Sequence, residues 1–127
     1  LKQRISLLLI LLCFFACSKN KEDINNCENL KTSLRENNID NLKNIVGQYI
    51  TDMDSKEYNE PNLNKLASSI SDNCSVSAHL MCFDCIFTLP AQSELKLSLT
   101  ENGATFHKIV DLTPTSENKI KVVDAHE

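Results

Sequence analysis

The hydrophobic pattern changes period once, at Cys74, and that change governs what the chain can fold into. Before it, apolar residues recur every three or four positions. Ile24, Cys27, Leu30 and Leu34 make one stripe of a helix, and Asn37-Asn38 interrupts it. Ile39, Leu42, Val46, Tyr49, Ile50 and Met53 then continue the helical period, with Asn38 or Asp40 placed to cap a second helix. The stretch TDMDSKEYNEP is polar and closes on Pro61, so it reads as a loop. Asn62 can then cap a third helix that buries Leu63, Leu66, Ala67 and Ile70.

From Cys74 the period is two. Cys74, Val76, Ala78, Leu80 and Cys82 alternate with Ser75, Ser77, His79 and Met81, as in a strand with one buried face. Leu95, Leu97 and Leu99 alternate with Lys96, Ser98 and Thr100, and Asn102-Gly103 is a hairpin signal because both residues tolerate the positive φ of a type I′ turn. A returning strand spans about Ala104 to Leu112, Thr113-Pro114 through Asn118 forms a turn, and a last strand covers Ile120 to Val123 before a polar tail, DAHE. The expected fold class is α+β: about three N-terminal amphipathic helices followed by a small antiparallel sheet of four to five strands, disulfide-stabilised.

The first residues, LKQRISLLLILLCFFAC, carry two cations, Lys2 and Arg4, before an apolar run from Ile5 to Phe15 broken only by Ser6. A basic segment, a short apolar segment and a small residue before a cleavage point make a secretory signal peptide. The run is shorter than the ~20 apolar residues a spanning helix needs. Its end at Ala16-Cys17, followed by polar SKNKED, resembles the lipobox of bacterial lipoproteins, with Phe14 where that pattern usually has Leu. The resemblance implies cleavage before Cys17 and lipidation of Cys17. An ordinary secreted protein cut near Ala16 is the alternative. Several acyl chains anchor a protein stably, at ~0.8 kcal/mol per buried CH₂. Ser18 in place of an Asp after the lipidated residue favours outer-membrane delivery, and Lys21-Glu22-Asp23 resembles a surface-export signal of Bacteroidota lipoproteins or is simply a solvated tether. The expected organisation is a signal peptide over 1–16, a lipidated Cys and tether over 17–23, and one α+β domain over 24–127, helical over 24–73 and β over 74–124.

Once Lys2 and Arg4 leave with the signal, 11 of the 13 basic residues face 17 acidic ones, a formal −6 on a chain of 111 residues. That length suits one modest domain. The sign argues against nucleic acid, which rewards clustered Lys and Arg, and against anionic headgroups. With no Trp and few aromatics there is no stacking platform for bases or sugars. Two glycines, Gly47 and Gly103, cannot build a phosphate loop, and Ser93 lacks the G-x-S-x-G of a hydrolase elbow. His107 in a strand and His126 in the tail have no acid or cysteine at ligand spacing and read as surface histidines.

Four cysteines then remain: Cys27, Cys74, Cys82 and Cys85. An even number in a small exported domain favours disulfides. If residues 82–85 are extended, the Cα atoms of Cys82 and Cys85 lie ~10 Å apart at ~3.4 Å per residue, beyond the ~7 Å limit for a bridge. The favoured pairing then joins Cys27 to the CFDC segment, and the alternative is Cys27–Cys74 with Cys82–Cys85 across a tight turn. Competing readings exist. A redox CxxC needs its first thiol at a helix N-terminus, whereas a strand pattern follows CFDC. Zinc would need Cys74, Cys82, Cys85 and either Cys27 or His79. A Cys82/His79/Asp84 set is too local for a catalytic triad, and covalent haem fails because Ile86 stands where CxxCH needs His.

The stretch CFDCIFTLPAQSE, Cys82 to Glu94, resembles a group of small uncharacterised Bacteroidota lipoproteins with C-x-x-C-I-x-T-x-P-x-Q-S-E, a following hairpin and a C-terminal His. That resemblance implies the compartment and no activity. The expected protein is a lipid-anchored, non-catalytic module of the bacterial outer membrane. It needs no cofactor or metal and no nucleic acid, and it meets the membrane through its anchor and an envelope or extracellular protein partner. A thiol-redox or zinc module using Cys82 and Cys85 is the alternative.

Overall fold

A computed structural model of the chain describes residues 26–81 and 92–127. Three helices come first: α1 (helical over 26–36), α2 (Ile39–Thr51) and α3 (Glu60–Cys74). A four-stranded antiparallel sheet follows, built from β1 (Ser77–Met81), β2 (Ser93–Glu101), β3 (Ala104–Pro114) and β4 (Ile120–His126) in the order β1-β2-β3-β4. The expected α+β class with helices before strands is the architecture seen.

One Asn-Asn dipeptide ends α1 and starts α2. Asn37 takes the left-handed conformation (φ 58°), and the Asn38 amide reaches back to the Ser33 carbonyl at 2.9 Å, a Schellman closure. The Asn38 side chain then accepts from the Asn41 amide at 3.2 Å and caps α2. The third helix starts earlier than its sequence suggests. Asn59, not Asn62, is the cap, accepting from the Asn62 amide at 2.9 Å, while Pro61 sits in the first turn where it has no N–H to lose. Asn62 is instead buried, and its amide donates to the Glu57 carbonyl and the Ser55 hydroxyl.

The helix also runs one residue further than expected. Cys74 belongs to α3, Ser75 closes it in the left-handed region (φ 54°), and the two-residue alternation starts at Val76. Cys74 continues the stripe Leu63, Leu66, Ala67, Ile70 as well as it would begin a strand. The Asn102-Gly103 hairpin forms as expected, with positive φ at both residues and Glu101 opposite Ala104.

The last strand reaches His126, past the expected end at Val123. A register shift between Asp111 and Leu112 leaves Val123 outside one-to-one pairing. Ile120, Val122 and Ala125 thus face inward at spacings of two and three, which simple alternation does not anticipate.

The helices cover one sheet face. Leu95, Leu97 and Leu99 of β2, Val110 and Leu112 of β3 and Ala125 of β4 meet Leu30, Leu34, Val46, Leu63, Leu66 and Ile70. Burying each such Leu contributes ~1.5–3 kcal/mol. Arg35 of α1 clasps Glu101 at the hairpin with two hydrogen bonds, one of 2.9 Å to Oε2. The loop before α3 is pinned to the start of β4: the Tyr58 amide donates to Asn118 and the Ile120 amide to Lys56. Tyr58, within the stretch that reads as a polar loop, is buried, its hydroxyl 2.6 Å from Ser93 Oγ.

Candidate functional site

Cys27, in the first described turn of α1, bonds to Cys74, in the last turn of α3, with Cα atoms 4.9 Å apart. This differs from the favoured pairing of Cys27 with the CFDC segment. The cause is helix direction: the buried stripes of α1 and α3 carry Cys27 at the start of one helix and Cys74 at the end of the other, within bridging range. Cys27 and Cys74 are both buried, and the Tyr49 hydroxyl of α2 lies 2.9 Å from Cys74 Sγ, so all three helices meet at the bridge. Cys17, Cys82 and Cys85 lie outside the described residues, as does Asp84.

A cleft of about 730 Å³ opens beside the bridge. Asn26 and Asn73, the neighbours of the bonded cysteines, line it, and Tyr49 of α2 and Met53 just after that helix supply its apolar part. Asp52 and Asp54, on either side of Met53 in the chain, also line it, with Lys65, Ser68, Ser69 and Asp72 of α3. The pinned loop fixes Ser55 at the far end, through the Asn62 amide and the Lys56–Ile120 contact. The lining therefore combines three carboxylates, one ammonium, amides and hydroxyls. Such a set offers hydrogen bonds to a polar ligand; among the described lining residues, no serine stands beside a histidine that could activate it. Sequence reasoning missed this cleft because most of its residues belong to the polar face of α3 and to the polar segment after α2, and nothing local distinguishes polar residues that line a concavity from those in open water.

The histidines occupy the sheet face turned away from the helices. His79 lies on β1, its Nε2 2.9 Å from Ser77 Oγ, and His107 is exposed on β3. His126 is not in a loose tail: it pairs with Ile109 in the ladder and its Nε2 lies 3.2 Å from Asp111 Oδ2. The acid that sequence spacing hides stands 15 residues upstream on the neighbouring strand. Hydrogen bonding to the Glu127 carbonyl, then to Asp111, raises the His126 pKa above its ordinary 6.5. Among the described residues, no three His, Cys, Asp or Glu side chains are grouped to hold a metal, and no helix is long and apolar enough to cross a membrane. No known family matches the sequence, and neither a curated protein nor a solved structure matches it.

Proposed function

We propose that this chain is a lipid-anchored module of the bacterial outer membrane that acts by binding an envelope or extracellular protein partner rather than by catalysis. The observation that carries this reading is the buried Cys27–Cys74 bridge. Structural disulfides persist in oxidising compartments, the kind to which the signal-like segment ending on Cys17 would deliver the chain. The anchor fixes position, and the polar cleft and the sheet face turned away from the helices offer surface without a nucleophile–base–orienter set among the described residues. Expression in a bacterial host with metabolic fatty-acid labelling tests the anchor. Label enters the intact chain and is lost in Cys17→Ser; equal labelling of both proteins contradicts the proposal.

The same bridge favours a second reading of the CFDC segment. With Cys27 and Cys74 bonded to each other, Cys82 and Cys85 have each other as cysteine partners, either as a further bridge or as thiols for redox or zinc chemistry. Intact mass after alkylation, with and without reduction and with metal content measured alongside, separates the two. The binding module shows no reactive thiol before reduction. Two reactive thiols, or one zinc per chain, make Cys82 and Cys85 the functional centre.

A further inference from the structure

Each ring nitrogen of His126 faces a hydrogen-bond acceptor. Nδ1 lies 3.1 Å from the Glu127 carbonyl oxygen, and Nε2 lies 3.3 Å and 3.2 Å from the two carboxylate oxygens of Asp111. Neutral imidazole has one N–H, so one of these contacts would set a lone pair against an acceptor; only imidazolium donates at both. The ladder also places Asp124 of β4 directly opposite Asp111 of β3, and Asp111 is only 8 % exposed. Two carboxylates opposed across strands repel, and a cation beside them offsets that repulsion.

The rest of the surroundings carries both signs of charge. On β3, His107 lies diagonal to His126 across Ile109; on β2, Lys96 continues the His126–Ile109 row and Glu94 continues the Asp124–Asp111 row. Glu127 follows in the chain, its carboxylate 3.2 Å from Lys108 Nζ, which reaches it from the covered side of the sheet. The helices pack against that covered side, away from the imidazole. Residues 126 and 127 therefore grip β3 from both faces of the sheet, and one grip depends on a proton.

We propose that His126 is a proton-operated latch: as imidazolium it fastens the end of β4 to Asp111, and on losing its proton it lets that end open. The raised pKa fixes the direction. The latch is fully engaged below the ordinary imidazole value of 6.5 and is lost as pH rises through the higher folded value. Opening bares the β3 edge around Ile109 to Asp111. This inference stands independently of the anchor.

Ring NMR of the intact chain in detergent, titrated across neutral pH, tests it together with amide protection factors for Asp124 to His126 corrected for intrinsic exchange. His126 should titrate above 6.5, and protection should fall through the same midpoint. The fall is about tenfold for each unit by which the midpoint exceeds the ordinary value. Asp111→Asn should lower the midpoint and weaken the pH dependence, leaving the part that comes from the Glu127 carbonyl. Because Asp111 is mostly buried, His126→Asn provides a second variant: it should show low β4 protection at every pH while β2–β3 protection is retained. Wild-type protection in His126→Asn, protection indifferent to the His126 titration, or an unmoved midpoint in Asp111→Asn would each overturn the proposal.

Discussion

Two ends of this domain are fastened by different physics. At the helical end, α1 and α3 are joined by a covalent bond that sits among buried residues and takes a contact from Tyr49. At the far end of β4, the fastening is ionic: His126 to Asp111 on one face and Lys108 to Glu127 on the other. The covalent closure responds to reductant and is indifferent to salt. The ionic one responds to protons and is weakened by screening. A domain built this way yields first at a different place depending on what challenges it.

The largest expected effect breaks the covalent end. Replacing both Cys27 and Cys74 by Ser frees a 47-residue separation, which by the chain-entropy account costs about 4 kcal/mol of stability. Urea unfolding measures it, and an unchanged midpoint would mean that the helices hold each other without the bond. A smaller effect probes the inner ionic grip. Lys108 is a charged side chain on the core-facing side of β3, 6 % exposed, bonded to its neighbour's carbonyl and to an exposed Glu127. Lys108→Met keeps the length and removes the desolvation penalty, so stability should rise by about 1 kcal/mol. A loss of similar size would show that this contact anchors β4 more firmly than its geometry implies.

The smallest effect sharpens the contrast in pH response. Hydrogen bonding from Arg35 holds Glu101 below its ordinary 4.5. Its contribution is therefore present above that value and is lost as pH falls through the lower folded value, the opposite direction to His126. Arg35→Met should flatten the acid side of the stability profile and leave the alkaline side intact. The pair is exposed, so the change is small and is best read from urea midpoints at closely spaced pH.

The helical half was legible because its burial is periodic: Leu63, Leu66, Ala67 and Ile70 point inward as their spacing requires. The Asn102-Gly103 turn was legible because few other dipeptides accept two positive φ values. Other features depend on partners distant in sequence. Cys74 suits either period, and only its bond to Cys27 shows which face it serves. The reach of β4 was hidden because the displacement at Val123 moves Ala125 to the inside face, where strict alternation from Ile120 would put Val122 and Asp124. Tyr58 was hidden by its polar neighbours, and the cleft by the ordinary polarity of its walls.

The irregularity at Val123 has a consequence for crowding. β4 is one of the two outer strands of the sheet described, and an outer strand offers unpaired amides and carbonyls to any passing copy. Here the register shift deforms that rim beside a half-exposed valine, and Lys121 and Asp124 flank it with opposite charges. Copies tethered side by side on a membrane, as proposed above, would meet at concentrations far above those in solution. A bent, charged rim would keep such a population from zipping into continuous sheets.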